Sequence, residues 1–188
     1  MRILRASERT AVPWKNGGGV TSEVAVFPPG AGFDDFGWRI SIARIERGGP
    51  FSLFPGIDRT LAMLEGRVTL TIEGRTPIAL SPQSPPVQFP GDTATSAELI
   101  GDDATDLNVM TRRDVFFARM TPAEGSCGGT SGAAATLLVA RAEAALHEMR
   151  LAPGDAVMLD TGESLTLPPG GDFLKIEIFP AENRPKAR

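Results

Sequence analysis

The chain has 188 residues, 41% of them apolar and 22% charged, with a formal net charge of −4 and a pI near 5.1. That is the make-up of an ordinary globular protein long enough to bury a substantial core, and its acidity argues against nucleic acid or an anionic membrane as partner. A single His, His147, and a single Cys, Cys127, exclude an internal disulfide and the imidazole or thiolate sets that hold zinc, iron or copper; an all-oxygen magnesium or calcium site is not decided by that count, but no spaced acidic loop is present to build one, and no metal or other cofactor is expected.

The first residues lack the apolar core of a signal peptide, and no apolar run approaches the ~20 residues of a spanning helix, which points to a cytoplasmic location. Residues 12–19, Val-Pro-Trp-Lys-Asn-Gly-Gly-Gly, form a loop in which three consecutive glycines lose much backbone entropy on ordering; such a loop serves either as a tight turn or as the lining of a ligand site. Residues 20–27 alternate like a strand and are closed by Pro28-Pro29-Gly30, and residues 38–45 alternate again before Gly48-Gly49-Pro50. A strand over 60–64 follows the turn at Pro55-Gly56, and Glu65-Gly66 and Glu73-Gly74 bracket another over 67–72, so these read as successive hairpins. Three prolines in 81–86 mark a loop at a sheet edge. Residues 121–135, rich in Gly, Ser, Thr and Ala, read as a flexible linker. The one stretch with helical character, 140–150, also alternates and is ambiguous.

Phe89-Pro90-Gly91-Asp92 and Ala152-Pro153-Gly154-Asp155 each lead into a strand at a comparable distance from a final strand. Short alternating strands, many turns and this faint repeat together predict an all-β chain built from two β-barrel modules.

Pro13-Trp14-Lys15-Asn16-Gly17-Gly18-Gly19, Trp38-Arg39-Ile40-Ser41-Ile42-Ala43, Gly49-Pro50-Phe51-Ser52-Leu53-Phe54-Pro55-Gly56, Arg59, Phe89-Pro90-Gly91-Asp92 and Asp106-Leu107-Asn108-Val109-Met110-Thr111-Arg112-Arg113 occur in one order over residues 1–117. Jointly they resemble the HutD/Ves family; the second half fits that pattern more loosely. The resemblance implies a bicupin, two RmlC-like jelly-roll β-barrels in one chain, frequently encoded beside histidine-utilisation genes. It also implies a regulatory role in histidine degradation, with N-formylglutamate as the ligand proposed for the family, and no reaction. The expected division is an N-terminal barrel over 1–120 carrying the pocket, a linker over 121–135, and a cupin-like half over 136–188 completed by strands from the N-terminal part.

Metal-dependent cupins use several imidazoles on one barrel, whereas the only one here, His147, lies in the second half and reads as a strand residue rather than a catalyst. Alternation in 38–43 puts Arg39, Ser41 and Ala43 opposite Trp38, Ile40 and Ile42, and in 106–112 it groups Asp106, Asn108, Met110 and Arg112. Lys15, Arg39 and Arg59 in one barrel mouth would repel unless an anion joined them, and Arg offers a carboxylate two parallel donors. Asn16 and Asn108 would read an amide or formyl oxygen, Gly17 would admit close backbone approach, and Trp14 and Phe51 would wall the site or pack in the core. The expected ligand site is therefore Trp14, Lys15, Asn16, Gly17, Arg39, Ser41, Arg59, Asn108 and Arg112, with a small anionic metabolite as partner. The competing reading of each arginine is a salt bridge with Glu23, Asp58 or Asp106, and Asp92 reads as a turn former.

Two other functions stand behind this one. A metal-free hydrolase, isomerase or lyase would use Lys15 or Asp106 as acid or base, but no nucleophile, base and orienting group are legible together. A scaffolding module would act through paired sheet edges as a homodimer, though no self-complementary patch is visible. The apolar stretches 156–159 and 165–167 predict a second barrel filled by its own side chains.

Overall fold

The computed structural model describes residues 1–146 and 149–184. Its strands are β1 (Arg2–Leu4), β2 (Ala11–Pro13), β3 (Gly19–Phe27), β4 (Trp38–Ile45), β5 (Gly49–Pro50), β6 (Ile57–Glu65), β7 (Val68–Ile72), β8 (Ile78–Leu80), β9 (Val87–Pro90), β10 (Thr95–Leu99) and β11 (Ala104–Arg112). They continue with β12 (Phe116–Ala123), β13 (Ser126–Gly128), β14 (Ala135–Ala140), β15 (Ala144–Leu146), β16 (Met149–Leu151), β17 (Ala156–Leu159), β18 (Ser164–Thr166) and β19 (Phe173–Pro180). The only helical turns among the described residues are the 3₁₀ segments Ala6–Glu8 and Ala181–Asn183, so the protein is all-β, and no helix is long and apolar enough to cross a membrane.

The chain forms two compact units, Thr10–Asp114 and Met1–Arg9 with Val115–Arg188. In the first, a six-stranded antiparallel sheet of order β2-β3-β4-β11-β6-β9 is accompanied by a four-stranded sheet, β5-β10-β7-β8. Their facing sides enclose a core of Ile45, Leu61, Met63, Leu70, Ile72 and Phe89, with Trp14 and Phe51 packed against it. In the second, the sheet β1-β17-β14-β19-β12 is joined by the pairs β13-β18 and β15-β16 around Leu138, Leu151, Val157, Leu159 and Phe173. Each unit is thus a set of antiparallel sheets around its own apolar core, and the second includes a strand from residues 2–4.

The expected linker differs from the structure. Residues 121–135 are no free linker: their first residues extend β12, and Ser126–Gly128 pairs with β18. The glycines there serve close approach, since a Cβ on Gly129 would lie 2.0 Å from the carbonyl oxygen of Asp160. The compact units meet in sequence at Asp114 and Val115, before that segment rather than within it. Within 140–150, which the sequence left ambiguous, Ala144–Leu146 and Met149–Leu151 are strands paired as β15 and β16, and burial has period two: Ala144 and Leu146 are buried while Ala145 is exposed. His147 lies outside the described residues.

Candidate functional site

The site grows from the register of the six-stranded sheet. Met110 on β11 stands opposite Arg39 on β4 and Arg59 on β6, Asn108 opposite Ser41 and Leu61, and Asp106 opposite Ala43 and Met63. Because directly opposed residues share a face, Arg39, Ser41, Arg59, Asp106 and Asn108 all point to the side on which Leu61, Met63 and Phe89 build the core. The other face of β11, Leu107 and Val109, is fully buried as well. Arg39 and Arg59 lie two strands apart, about 10 Å.

Arg59 is only 8% exposed. Its Nε–H donates to Asn108 Oδ1 at 3.3 Å, and its guanidinium carbon sits 4.7 Å from the ring centre of Phe51 and 5.3 Å from that of Phe89. Two aromatic faces attract a cation without consuming its donors, so the terminal nitrogens find no acceptor among the described residues. Asp106, 4% exposed, is the nearest compensating charge, yet the two form no ion pair, and Asp106 Oδ1 is buried without a hydrogen-bond partner. Burial pushes the Asp106 carboxyl up to about 7 against the pull of Arg59, and burial lowers the Arg59 guanidinium to about 10 against the pull of Asp106.

Arg39 is treated differently by the fold. It pairs with Glu23 at 3.4 Å and lies 4.2 Å from the ring centre of Phe33, which stacks in turn on Phe54. Phe33 remains 56% exposed, so an aromatic ring stands at the edge of this arginine. Ser41 is buried beside Asn108.

The remaining expected residues lie elsewhere. Lys15, Asn16 and Gly17 form an exposed turn, where Asn16 Oδ1 accepts the Gly18 N–H at 3.0 Å and the Gly17 carbonyl accepts from Arg47 Nη2 at 2.8 Å. The third glycine of that run is a packing requirement: a Cβ on Gly19 would stand 2.2 Å from the Arg44 carbonyl oxygen. Trp14 turns inward, its Nε1–H donating to Thr21 Oγ1 at 2.7 Å, and Thr21 shares a register row with Ala43 and Asp106. Arg112 is a staple, donating from Nε to the Phe36 carbonyl at 3.2 Å and from Nη2 to that of Asp34 at 3.1 Å. Arg113 pairs with Asp58 at 2.7 Å and with Asp92 at 3.1 Å, and Asp92 Oδ2 also accepts the Gly56 N–H at 3.4 Å, so Asp92 anchors an ion pair and a neighbouring turn. Phe33 and Phe89 acquire their roles from loop and register geometry, for which sequence spacing carries no signal.

The second unit holds a charged cluster of its own. Glu177, 7% exposed, accepts from Thr130 Oγ1, pairs with Lys175 at 2.9 Å and with Arg119 at 3.8 Å, while Lys175 Nζ also donates to Thr130 Oγ1 at 3.0 Å. Burial raises the Glu177 carboxyl, but Thr130, Lys175 and Arg119 outweigh it and hold the group below its ordinary range. This network is polar but closed on itself, beside the apolar filling of that unit.

Cupins that use a metal need converging ligands. Among the described residues no group of three or more His, Cys, Asp and Glu comes together, and the one buried carboxylate of the first unit, Asp106, faces a guanidinium that would repel a cation. The described residues offer no converging ligand set for a metal.

The sequence profile of the HutD family matches residues 6–174. An uncharacterized 21.2 kDa protein of the hutC 3′ region of Pseudomonas putida is 33% identical over 180 residues, covering 95% of this chain and 92% of that protein. Protein Ves of Citrobacter koseri is 41% identical over 124 residues, 62% of this chain and 63% of its own. The structure of HutD from Pseudomonas fluorescens SBW25, described as a formate condition, matches with a TM-score of 0.82 at 31% identity, over 95% of this chain and 98% of that one. A match over nearly the whole chain, in sequence and in structure, leads to one conclusion: the chain belongs to the HutD family.

Proposed function

We propose that the unit Thr10–Asp114 binds a small carboxylate metabolite inside its barrel, with Arg59 as the anion grip, and that this binding serves sensing or regulation in histidine utilisation. The observation that carries the reading is Arg59 itself, buried between two phenylalanine rings with its terminal nitrogens unmet. A buried guanidinium whose nearest carboxylate, Asp106, makes no ion pair with it gains from an anion that does, and a carboxylate matches its parallel donors. Asn108 and Ser41 lie on the same face to read a second polar group, and Arg39 stands toward its edge. The metabolic connection draws support from the Pseudomonas putida relative, described by its place in the hutC 3′ region, and from membership of the HutD family.

The test is calorimetric titration with N-formylglutamate, glutamate, urocanate and formate, repeated on Arg59→Ala. Saturable binding of one carboxylate, lost in a folded variant, is expected; no heat from any of the four sinks the reading. A second reading, an enzyme acting on the same carboxylate, is favoured by the buried acid Asp106. Proton NMR of the bound ligand in heavy water, followed for exchange or product, decides between them.

A further inference from the structure

Asp106 is left over when the binding reading has used Arg59. It sits on the same interior face, one register row beyond Asn108, and its Oδ1 is buried with no hydrogen-bond partner. A buried carboxylate oxygen without a donor is a costly feature, because each lone pair withdrawn from water forfeits its hydrogen bonds. The chain does not satisfy it from within: its row holds Ala43 and Met63 and, two strands away, Thr21, whose hydroxyl oxygen accepts from Trp14 Nε1–H, and the four-stranded sheet contributes Leu70, Ile72 and Ala97 to the core. The charged groups on the face are Arg59 on β6, Arg39 on β4, Glu23 on β3 and Arg112 at the end of β11, one row beyond Met110. Arg39 and Glu23 are paired with each other and Arg112 donates to the Phe36 and Asp34 carbonyls, which leaves Arg59 as the one charge that acts on Asp106.

We infer that Asp106 is the proton-carrying group of the pocket: as a carboxylic acid it presents a hydroxyl to the anion held by Arg59, so that ligand uptake brings one proton with it. This rests on the binding reading above and specifies how the site is regulated. The balance is simple. Before binding, the Asp106 carboxylate is favoured by Arg59; the incoming anion takes over the guanidinium and replaces that attraction by repulsion between two carboxylates. A proton from solvent joins Asp106, no covalent bond forms or breaks in the ligand, and the new O–H donates to a ligand oxygen. Net charge in the pocket is then +1 from Arg59 and −1 from the ligand. Asn108, whose Oδ1 already accepts from Arg59, keeps its amide donors for a second ligand oxygen.

The consequence is a pH-dependent binder. Burial places the free Asp106 near 7, so above that value a growing share of the protein is in the carboxylate form and must be protonated before it grips an anion. The apparent association constant then falls about tenfold per pH unit on the alkaline side and levels off on the acid side. The sensor would respond to acidification and to metabolite together.

The test is calorimetry of the full chain with N-formylglutamate and with formate, from about pH 6 to about pH 9, in buffers of contrasting ionisation enthalpy. The expected result is uptake of close to one proton per ligand at the alkaline end, shrinking toward none at the acid end, and in Asp106→Asn a binding constant that no longer changes with pH. Saturable binding with no proton uptake and no pH slope overturns the inference while leaving Arg59 as the grip. A slope that persists in Asp106→Asn assigns the proton to another group and also overturns it. Absence of binding by either probe at every pH removes both this inference and the reading it rests on. Should Asp106→Asn fail to fold, the buffer comparison on the wild-type chain decides alone.

Discussion

The two units bury charge in opposite ways. In Met1–Arg9 with Val115–Arg188, the carboxylate of Glu177 meets Thr130, Lys175 and Arg119, and Lys175 meets Thr130 in return. In Thr10–Asp114, Arg59 spends one donor on Asn108 and Asp106 Oδ1 meets nothing. Both clusters are polar groups inside a β-barrel, so polarity alone does not mark a site. What separates them is whether the hydrogen-bonding capacity is used up: a closed network holds the fold together, and an open one waits for a partner.

The sharpest way to break this contrast is to remove the central charge from each unit. Arg59→Met keeps length and apolar character, and we expect carboxylate affinity to drop more than about 100-fold, since truncating one side of a buried charge pair costs about 2–5 kcal/mol. Its folding stability, measured by urea denaturation near pH 6 where Asp106 is largely neutral, should change by less than about 1 kcal/mol or rise, because a buried ion replaced by an apolar side chain often costs nothing. Glu177→Ala should do the reverse, lowering stability by about 2–3 kcal/mol by stranding Lys175 while leaving carboxylate binding intact. If Arg59→Met unfolds the protein and Glu177→Ala does not, the assignment of roles is inverted.

Protonation sharpens the contrast further. Asp106 titrates near 7 when folded, above its unfolded range, so the folded state holds the extra proton and its contribution to stability falls as pH rises from the ordinary carboxylate range toward 7. Glu177 is held low, so its contribution grows as pH rises through that range and is lost on acidification. Thermal unfolding of Asp106→Asn against wild type should show the variant gaining relative stability between about pH 5 and about pH 8; a constant difference would mean that Asp106 is not the titrating group. The smallest effect is expected at the surface. Arg113→Ala removes half-exposed pairs with Asp58 and Asp92 and should cost about 1 kcal/mol or less by the same denaturation assay, with no change in binding.

Much of the architecture was readable from residue order because alternation is local: the strands at 20–27, 38–45 and 68–72 follow from period two between Gly and Pro turns. The same parity put Arg39, Ser41, Asp106 and Asn108 on interior faces. What local patterning lacks is pairing. Whether Arg59 would find Asp106, as it does not, or Arg39 would find Glu23, as it does, depends on the register of β6 and β3 against their neighbours. The Trp-Lys-Asn-Gly-Gly-Gly loop shows the same limit: its glycines suggest close approach, but what they approach is the backbone of Arg44, a contact fixed by strand pairing rather than by sequence neighbours. The Gly-rich segment after 121 read as a linker because composition reports flexibility of the free chain, not the strand pairings that later constrain it.

Residues 2–4 form the edge of a sheet whose other strands lie beyond residue 115, with Ile3 opposite Val157. The unit Thr10–Asp114 is continuous, so a ribosome can release it whole while the residues after it are still being made; the other unit takes its strands from both sides of that one, and residues 2–4 have no strand to dock on until 156–159 have emerged. A change at residues 2–4 would therefore be felt not in Thr10–Asp114, which follows them directly, but in the unit translated last, as slower maturation or lower stability of that unit. For a protein whose proposed work is done entirely by residues 10–114, that makes the N-terminal peptide a handle on durability rather than on recognition.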